Sequence, residues 1–448
     1  MIRKFLLLSL VASQLMISCS SDDNESTKPE TELTLEEQIA ELTKKSYSEL
    51  TPDQQKLKLE NEANEMLVQL DKTKKLGAIE AIENLSRLIS ISPVDIFSGK
   101  SNNKVEDILN VSGVYGIYTW NNTQKSWTKT ASTTELKFVF PAKATQTTNN
   151  ASFSSKSTSS DIKVPVEDSY NWQTGVEVND YIFLPLSVDA TLSIDGTSVA
   201  SFTQTAKYSN GKIAPDEFGY KMSVAEGYAW EVSGTKAAAS TSKGALTFNG
   251  KNLLSFNAGS TAQIDALITD DHLGQYRGKA NALVEILDNF VIVGEMDLAA
   301  DKTDREAINK LTYPKEPAYD NANSDFKAYH TAVNEFEKKR SESKAASFNK
   351  NIKLILVSKK DGTKIADLVQ RSVQVGDPYV FELPAWDAQY GWTIWEDHNS
   401  GTFSRPYLQQ PVYLKFNDKT EVEMGAYFST GFNTFQSKFQ DFIAGFQK

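Results

Sequence analysis

The chain has 448 residues, of which 40% are apolar, so it is long enough for two or three domains with real cores. Its 47 Lys and Arg residues against 58 Asp and Glu give a formal net charge of −11, and an acidic surface that repels nucleic acid excludes that class of partner. The single cysteine cannot form a disulfide within the chain, so stability must come from packing and hydrogen bonds.

Residues 1–18 have the anatomy of a secretory signal peptide. Arg3 and Lys4 form a positive start, an apolar stretch follows, and Ser18 is a small residue at the expected cleavage site. The apolar stretch is short and is interrupted by polar side chains, which argues against a transmembrane helix. We therefore expect residues 1–18 to be removed and residues 19–34, which are polar and acidic, to form a disordered tether.

The sequence around Cys19 resembles the lipobox of bacterial lipoproteins, which the run from Leu15 to Cys19 matches. Three acidic residues follow, Asp22, Asp23 and Glu25, and they resemble the export signal of surface lipoproteins in the Bacteroidota. The resemblance covers only about the first 25 residues. It implies that Cys19 is lipidated, that acyl chains anchor the protein in the outer membrane, and that the protein is exposed at the cell surface.

Helical spacing dominates residues 35–92. Apolar residues from Leu35 to Leu42 recur at helical intervals, and Thr51 with Gln54 has the pattern of a capping box. Pro93 ends the segment, because proline cannot continue a helix. The pattern predicts two or three helices.

From residue 93 to residue 300 the apolar period changes to two, which predicts an antiparallel β domain with many short connections. The Ser-, Thr- and Asn-rich residues 144–161 suggest a long exposed loop, and the apolar run 284–293 suggests one central strand. Hairpin turns are predicted at 121–124, Asp195-Gly196 and Asn249-Gly250.

Residues 301–448 predict a C-terminal α/β region that packs on the β domain. Its predicted elements are helices at 307–311 and 326–344, hairpins around Asp361-Gly362 and Asn417-Asp418, and a Phe-rich helix at 432–446. The fold class is therefore α+β: an N-terminal helical segment, an antiparallel β region and C-terminal mixed hairpins and helices. If the sheet is open and curved, it is similar to that of periplasmic lipoprotein carriers, by analogy of fold alone.

No motif for catalysis, metal binding or cofactor binding is found. The three histidines, His272, His330 and His398, are far apart and belong to no His-Glu-x-x-His pattern, and Gly-x-Ser-x-Gly and phosphate-binding loops are missing. We therefore predict no catalytic residue, metal or cofactor. A glycosidase stays open as an alternative, because the 58 acids form many pairs whose separation the sequence does not show.

The densest aromatic run consists of Trp386, Tyr390, Trp392 and Trp395, with Asp387 and Glu396 nearby. Sugar rings stack on exposed aromatic faces while carboxylates accept hydrogen bonds from hydroxyl groups. The run therefore suggests a ligand platform, although aromatic side chains in strands more often pack in a core.

The sequence favours a non-catalytic cell-surface lipoprotein with a binding or structural role, whose partners are the membrane, through the anchor, and a glycan or a protein. One alternative is a glycan-binding or carbohydrate-active component of a surface uptake system. A second is a carrier of an apolar ligand. Exposed neighbouring Trp and Tyr side chains would favour the glycan, and a roomy apolar cavity would favour the carrier.

Overall fold

The structure, a computed structural model, describes residues 33–70, 77–94, 112–209, 211–225, 227–270, 274–395 and 398–428. Within these ranges the protein combines α-helices with one large, mostly antiparallel sheet, which confirms the α+β class. The helices are α1 (Leu35–Thr43), α2 (Pro52–Leu70), α3 (Gly77–Ile91), α4 (Ile264–Thr269), α5 (Leu298–Asn309), α6 (Phe326–Asn351) and α7 (Met424–Tyr427).

The strands are β1 (Gly116–Asn121), β2 (Ser126–Thr130), β3 (Leu136–Phe140), β4 (Ala151–Asn171), β5 (Val176–Ile194), β6 (Thr197–Lys207), β7 (Glu217–Val224), β8 (Tyr228–Thr235), β9 (Ser240–Phe248), β10 (Lys251–Ser260), β11 (Lys279–Ile286), β12 (Phe290–Asp297), β13 (Ile352–Ser358), β14 (Thr363–Gln370), β15 (Val373–Gln374), β16 (Tyr379–Asp387), β17 (Gly391–Thr393), β18 (Asn399–Arg405), β19 (Leu408–Gln409), β20 (Val412–Lys415) and β21 (Glu421–Glu423). None of the described helices combines the length and the apolar character needed to cross a lipid bilayer.

Sixteen of the described strands form the large sheet, in the order β2-β1-β3, then β4 to β14 in sequence, then β20-β21. Neighbouring strands are antiparallel except for β1 and β3, which are parallel. The sheet continues from β12 into β13, so strands on both sides of residue 300 share one hydrogen-bonded ladder. Most connections are therefore between strands that are also neighbours in sequence.

Helices α2 and α3 cover one face of the large sheet. Leu85 and Leu88 of α3 pack in a cluster with strands from β1 to β10, and Leu59 of α2 packs in a second cluster with strands from β12 to β20. Ile286 contacts both clusters, so the two helices share this face. The apolar face of the sheet is thus closed by helices that come before it in the sequence.

Helix α1 covers the opposite face. Ile39 of α1 clusters with Val291 and Val293 of β12, whereas Phe290 on the same strand belongs to the cluster of α2. Successive side chains of a strand point to opposite faces, so β12 is buried on both sides. This explains why its sequence is a continuous apolar run instead of an alternating one.

Several local predictions are confirmed. The side chains and backbone amides of Thr51 and Gln54 bond reciprocally, as a capping box requires, and α2 starts at the next residue after Thr51. The Asn121 hairpin turn joins β1 to β2. Three predicted turns have a glycine at positive φ: Asp195-Gly196 (β5 to β6), Asn249-Gly250 (β9 to β10) and Asp361-Gly362 (β13 to β14).

The predicted loop at 144–161 is wrong in its second half, because β4 begins at Ala151. Its first residues pair with β3 on one side and with β5 on the other, and Ala151 and Phe153 are buried. Partner strands on both sides satisfy the backbone, so the polar composition of this segment does not prevent it from forming a strand.

The predicted single strand at 284–293 is also wrong. It divides into β11 and β12 around a tight turn in which Leu287 and Asp288 have φ values of 51° and 57°. Left-handed backbone is unusual for leucine, so the turn lacks the glycine signal that marked the other hairpins.

Helix α5 begins earlier than the predicted segment 307–311. Asp297 caps it by accepting a hydrogen bond from the amide of Ala300 at 2.9 Å, while Thr303 donates within the helix to the carbonyl of Ala299. Helix α6 extends the predicted segment 326–344 to Asn351. The Phe-rich segment 432–446 lies outside the described residues.

Candidate functional site

The aromatic run lies on a separate small sheet. Strands β14 and β20 pair with each other in the large sheet, and the chain between them, residues 371–411, makes an excursion. Within it, β16 pairs with β17 on one side and with β18 on the other. We call this excursion the aromatic module.

The N-terminal half of α6 holds the aromatic module in place. The ring of Phe326, which is almost fully buried, lies 5.3 Å from the ring of Trp392, and the Trp392 indole donates to the carbonyl of Asn321 at 2.9 Å. One helical turn along α6, His330 lies 4.8 Å from the ring of Phe381. The module is therefore attached by specific ring contacts and hydrogen bonds, which fixes the direction of its strands.

Asp387 shapes the turn between β16 and β17. One of its carboxylate oxygens accepts hydrogen bonds from the amides of Gln389 at 2.7 Å and Tyr390 at 2.9 Å. These two bonds, more than the nearby charge of His398, hold the pKa of Asp387 below its usual range. Asp387 was predicted as a ligand acceptor, and its position shows a local role, because it builds the turn that presents Tyr390.

The four predicted platform residues form two pairs. Trp386 and Trp392 face each other across β16 and β17, with ring centroids 6.1 Å apart in an edge-to-face arrangement. Tyr390 and Trp395 form the second edge-to-face pair at 5.4 Å. Trp392 is half-buried by its anchor, whereas Tyr390 and Trp395 are 62% and 44% exposed. Trp386 is 37% exposed, so the second pair is the more accessible of the two.

Sequence reasoning missed the other end of the module. Tyr379 of β16 is 67% exposed and stacks at 5.6 Å on Phe381, and Tyr379 lies opposite Arg405 of β18. Tyr407 follows and is also exposed. The alternating aromatics at 379 and 381 were an available signal, but the run around Trp386 was denser.

A second exposed tryptophan lies far along the chain from the module. Strands β4 and β5 extend beyond the residues that pair with β3 and β6, and Trp172, at the turn between them, is 79% exposed. A single exposed aromatic side chain is common on protein surfaces, so Trp172 alone does not indicate a binding site.

A polar cleft of about 900 Å³ lies between α1, the end of α6 and strands β7 to β13. Its lining is dominated by hydroxyl, amide and charged side chains of both signs, among them Ser233, Thr241, Lys243, Asn257, Asn281 and Glu295. Among the described residues, no three His, Cys, Asp or Glu side chains come together as ligands for a metal ion. Polar side chains thus outnumber apolar ones around the cleft.

The remaining predicted site residues lie outside the described ranges. These are Cys19, Asp22, Asp23, Glu25 and Glu396. Comparison of the chain with models of protein families, with curated proteins and with solved structures gave no match. The function must therefore be argued from the residues themselves.

Proposed function

We propose that this protein is a non-catalytic lipoprotein of the cell surface that binds an extracellular glycan with its aromatic module. The anchor part rests on the signal anatomy of residues 1–18, on Cys19 and on the acidic residues after it. The binding part rests on one observation: Tyr390 and Trp395 are exposed as neighbouring rings on a sheet that α6 holds in place.

Exposed aromatic rings in one small region indicate an interaction site, because burial normally stabilises such side chains. The contacts of Trp392 with Phe326 and Asn321 hold the module in place before a ligand binds, so binding costs little conformational entropy. The rings of Tyr390 and Trp395 lie at an angle to each other, so they can contact two parts of an extended ligand. A sugar polymer fits this arrangement, since each ring presents one apolar face.

The carrier alternative is less well supported. A carrier with an open, curved sheet needs a roomy apolar cavity on the concave face. Here the apolar face of the large sheet is covered by α2 and α3, and the cleft is lined by polar side chains. A purely structural role predicts that no glycan binds at all.

The binding experiment compares exposed aromatic side chains inside and outside the module. Full-length protein purified in detergent is screened on an oligosaccharide array, and the best sugar is titrated against Trp395→Ala and Tyr390→Ala. Each change is expected to raise Kd about 10- to 100-fold, by analogy with the stacking of bases on aromatic side chains. Trp172→Ala is the matched control, because it also removes an exposed ring. Equal losses in all three variants, or no sugar bound by the native protein, contradict the proposal.

The anchor is tested separately. Cys19→Ser removes the only cysteine, so the protein is expected to leave the detergent phase and appear in the aqueous phase. Equal partitioning of both proteins contradicts lipidation at Cys19 without affecting the binding proposal.

A further inference from the structure

Arg405 is a cation without a carboxylate partner among the described residues. It ends β18, and the sole hydrogen bond of its guanidinium to the described residues joins Nη2 to Nδ1 of His330 at 3.2 Å. No carboxylate of the described ranges lies within ion-pair distance. Three other arginines show the contrast: Arg305, Arg340 and Arg371 pair with Asp301, Glu337 and Glu421.

His330 does not balance the charge of Arg405. Arginine can only donate, so Nδ1 of His330 accepts and its proton sits on Nε2. Burial, and next the positive charge of Arg405, lower the pKa of His330, while the negative charge of Glu316 acts in the opposite direction with a smaller effect. The histidine is therefore neutral at neutral pH, and Arg405 keeps a positive charge that no ion pair among the described residues balances.

Two buried polar atoms in the corner around Arg405 have no hydrogen-bond partner among the described residues. They are the Nε of Arg405 and the Oδ1 of Asn334. Asn334 donates to the carbonyl of Ser404, so its free oxygen belongs to the same corner of the module. The hydrogen-bond network around this half-buried cation is therefore incomplete among the described residues.

Aromatic rings flank this corner. The guanidinium carbon lies 5.5 Å from the ring centre of Phe381, which stacks on the exposed ring of Tyr379. Tyr379 faces Arg405 across the two strands. A sugar ring stacked on Tyr379 would place one of its substituents near Arg405.

We propose that Arg405 binds an anionic substituent, a carboxylate or a sulfate ester, of the glycan that the aromatic module recognises. The inference rests on the proposed function and narrows it to acidic glycans. Guanidinium groups bind both kinds of oxyanion because their planar donors match two oxygens at once. A net charge of −11 disfavours binding of polyanions in general, so an acidic glycan needs a local cation such as Arg405.

The experiment uses matched probes that differ only in charge. Tetragalacturonate is compared with its methyl ester to test a carboxylate, and dextran sulfate with dextran to test a sulfate ester. The native full-length protein is expected to bind at least one charged probe about 10- to 100-fold more tightly than its neutral counterpart. A change in Kd of this size corresponds to the free energy of a hydrogen bond to a charged group. Arg405→Gln is expected to remove that difference, and Arg405→Lys to keep part of it.

Lys251→Gln is the charge control, since it removes one exposed cation from β10 of the large sheet. If it lowers binding as much as Arg405→Gln, the effect is only net charge and the inference fails. If charged and neutral probes bind equally, the inference about Arg405 fails while glycan binding by the module stands. If neither the four probes nor any array sugar binds, the inference and the proposed function both fail.

Loss of folding is checked by thermal unfolding of each variant. If Arg405→Gln unfolds the module, Tyr379→Ala decides, because that ring is exposed and its removal should leave the fold intact. Tyr379→Ala is expected to weaken binding of the charged probe; unchanged binding contradicts the site.

Discussion

Two cross-strand tryptophan pairs, one in the large sheet and one in the aromatic module, have nearly the same local geometry. Trp120 and Trp127 face each other across β1 and β2 at 5.1 Å, and Trp386 and Trp392 across β16 and β17 at 6.1 Å, both edge to face. Trp120 lies in the core cluster closed by α3, whereas Trp386 is at the surface. What surrounds a pair, and not the pair itself, decides whether it stabilises the fold or is available to a ligand.

The largest expected effect comes from a substitution in the buried pair. Trp120→Ala should lower the free energy of unfolding by about 3–5 kcal/mol, because it removes a large buried side chain and leaves a cavity. Trp395→Ala, in the module, should change it by less than about 1 kcal/mol. Chemical denaturation followed by circular dichroism measures both. A similar loss in the two variants would mean that Trp395 also belongs to a core.

The second prediction concerns Trp392, which lies between these extremes. Trp392→Ala should cost about 2–4 kcal/mol, since it loses the contact with Phe326 and the hydrogen bond to Asn321. Trp392→Phe keeps a ring and loses the indole donor, so it should cost only about 1 kcal/mol. Native-state hydrogen exchange of residues 379–405 separates local loosening of the module from global unfolding. If alanine and phenylalanine give the same loss, ring packing on Phe326 does not hold the module.

The large sheet and its hairpins were predictable because their signals are local. Glycine at positive φ marks the turn at Gly196, and alternation of apolar side chains marks β3. The strand at 151–161 was not predictable, because its hydrogen bonds come from β3 and β5 and its polar composition favours a loop.

The candidate site was predictable only in part. The density of aromatic residues pointed to Trp386 and Trp395, but nothing local distinguishes the anchored Trp392 from the exposed Trp395. That difference depends on Phe326, more than 60 residues earlier in the chain. Arg405 was missed for the same reason: its lack of a carboxylate partner among the described residues is a property of the folded chain.

The third prediction concerns a buried polar side chain of helix α2. Gln55 of α2 is fully buried, and neither polar atom of its amide has a hydrogen-bond partner among the described residues. Gln55→Met keeps the volume and removes the unsatisfied groups, so it should raise the free energy of unfolding by about 1–2 kcal/mol. Gln389→Met, on the exposed turn of the module, is the matched control and should change nothing measurable. A loss of stability in Gln55→Met would show that the amide is bonded, for example to an ordered water.

The smallest expected effect is a pH dependence that comes from His330 of α6, where the helix contacts the module. His330 has a lowered pKa in the folded protein, so between that value and about 6.5 the unfolded chain binds more protons than the folded one. The contribution of His330 to stability is therefore complete above about pH 6.5 and is lost as the pH falls through the folded pKa.

His330→Gln cannot titrate, yet its amide oxygen can still accept a hydrogen bond from Arg405. Unfolding by denaturant at about pH 7.5 and about pH 5 should show a smaller acid-induced loss in the variant than in the native protein. His272 and His398 are present in both proteins, so the difference isolates His330. Equal losses in the two proteins would mean that the pKa of His330 is not lowered in the folded protein.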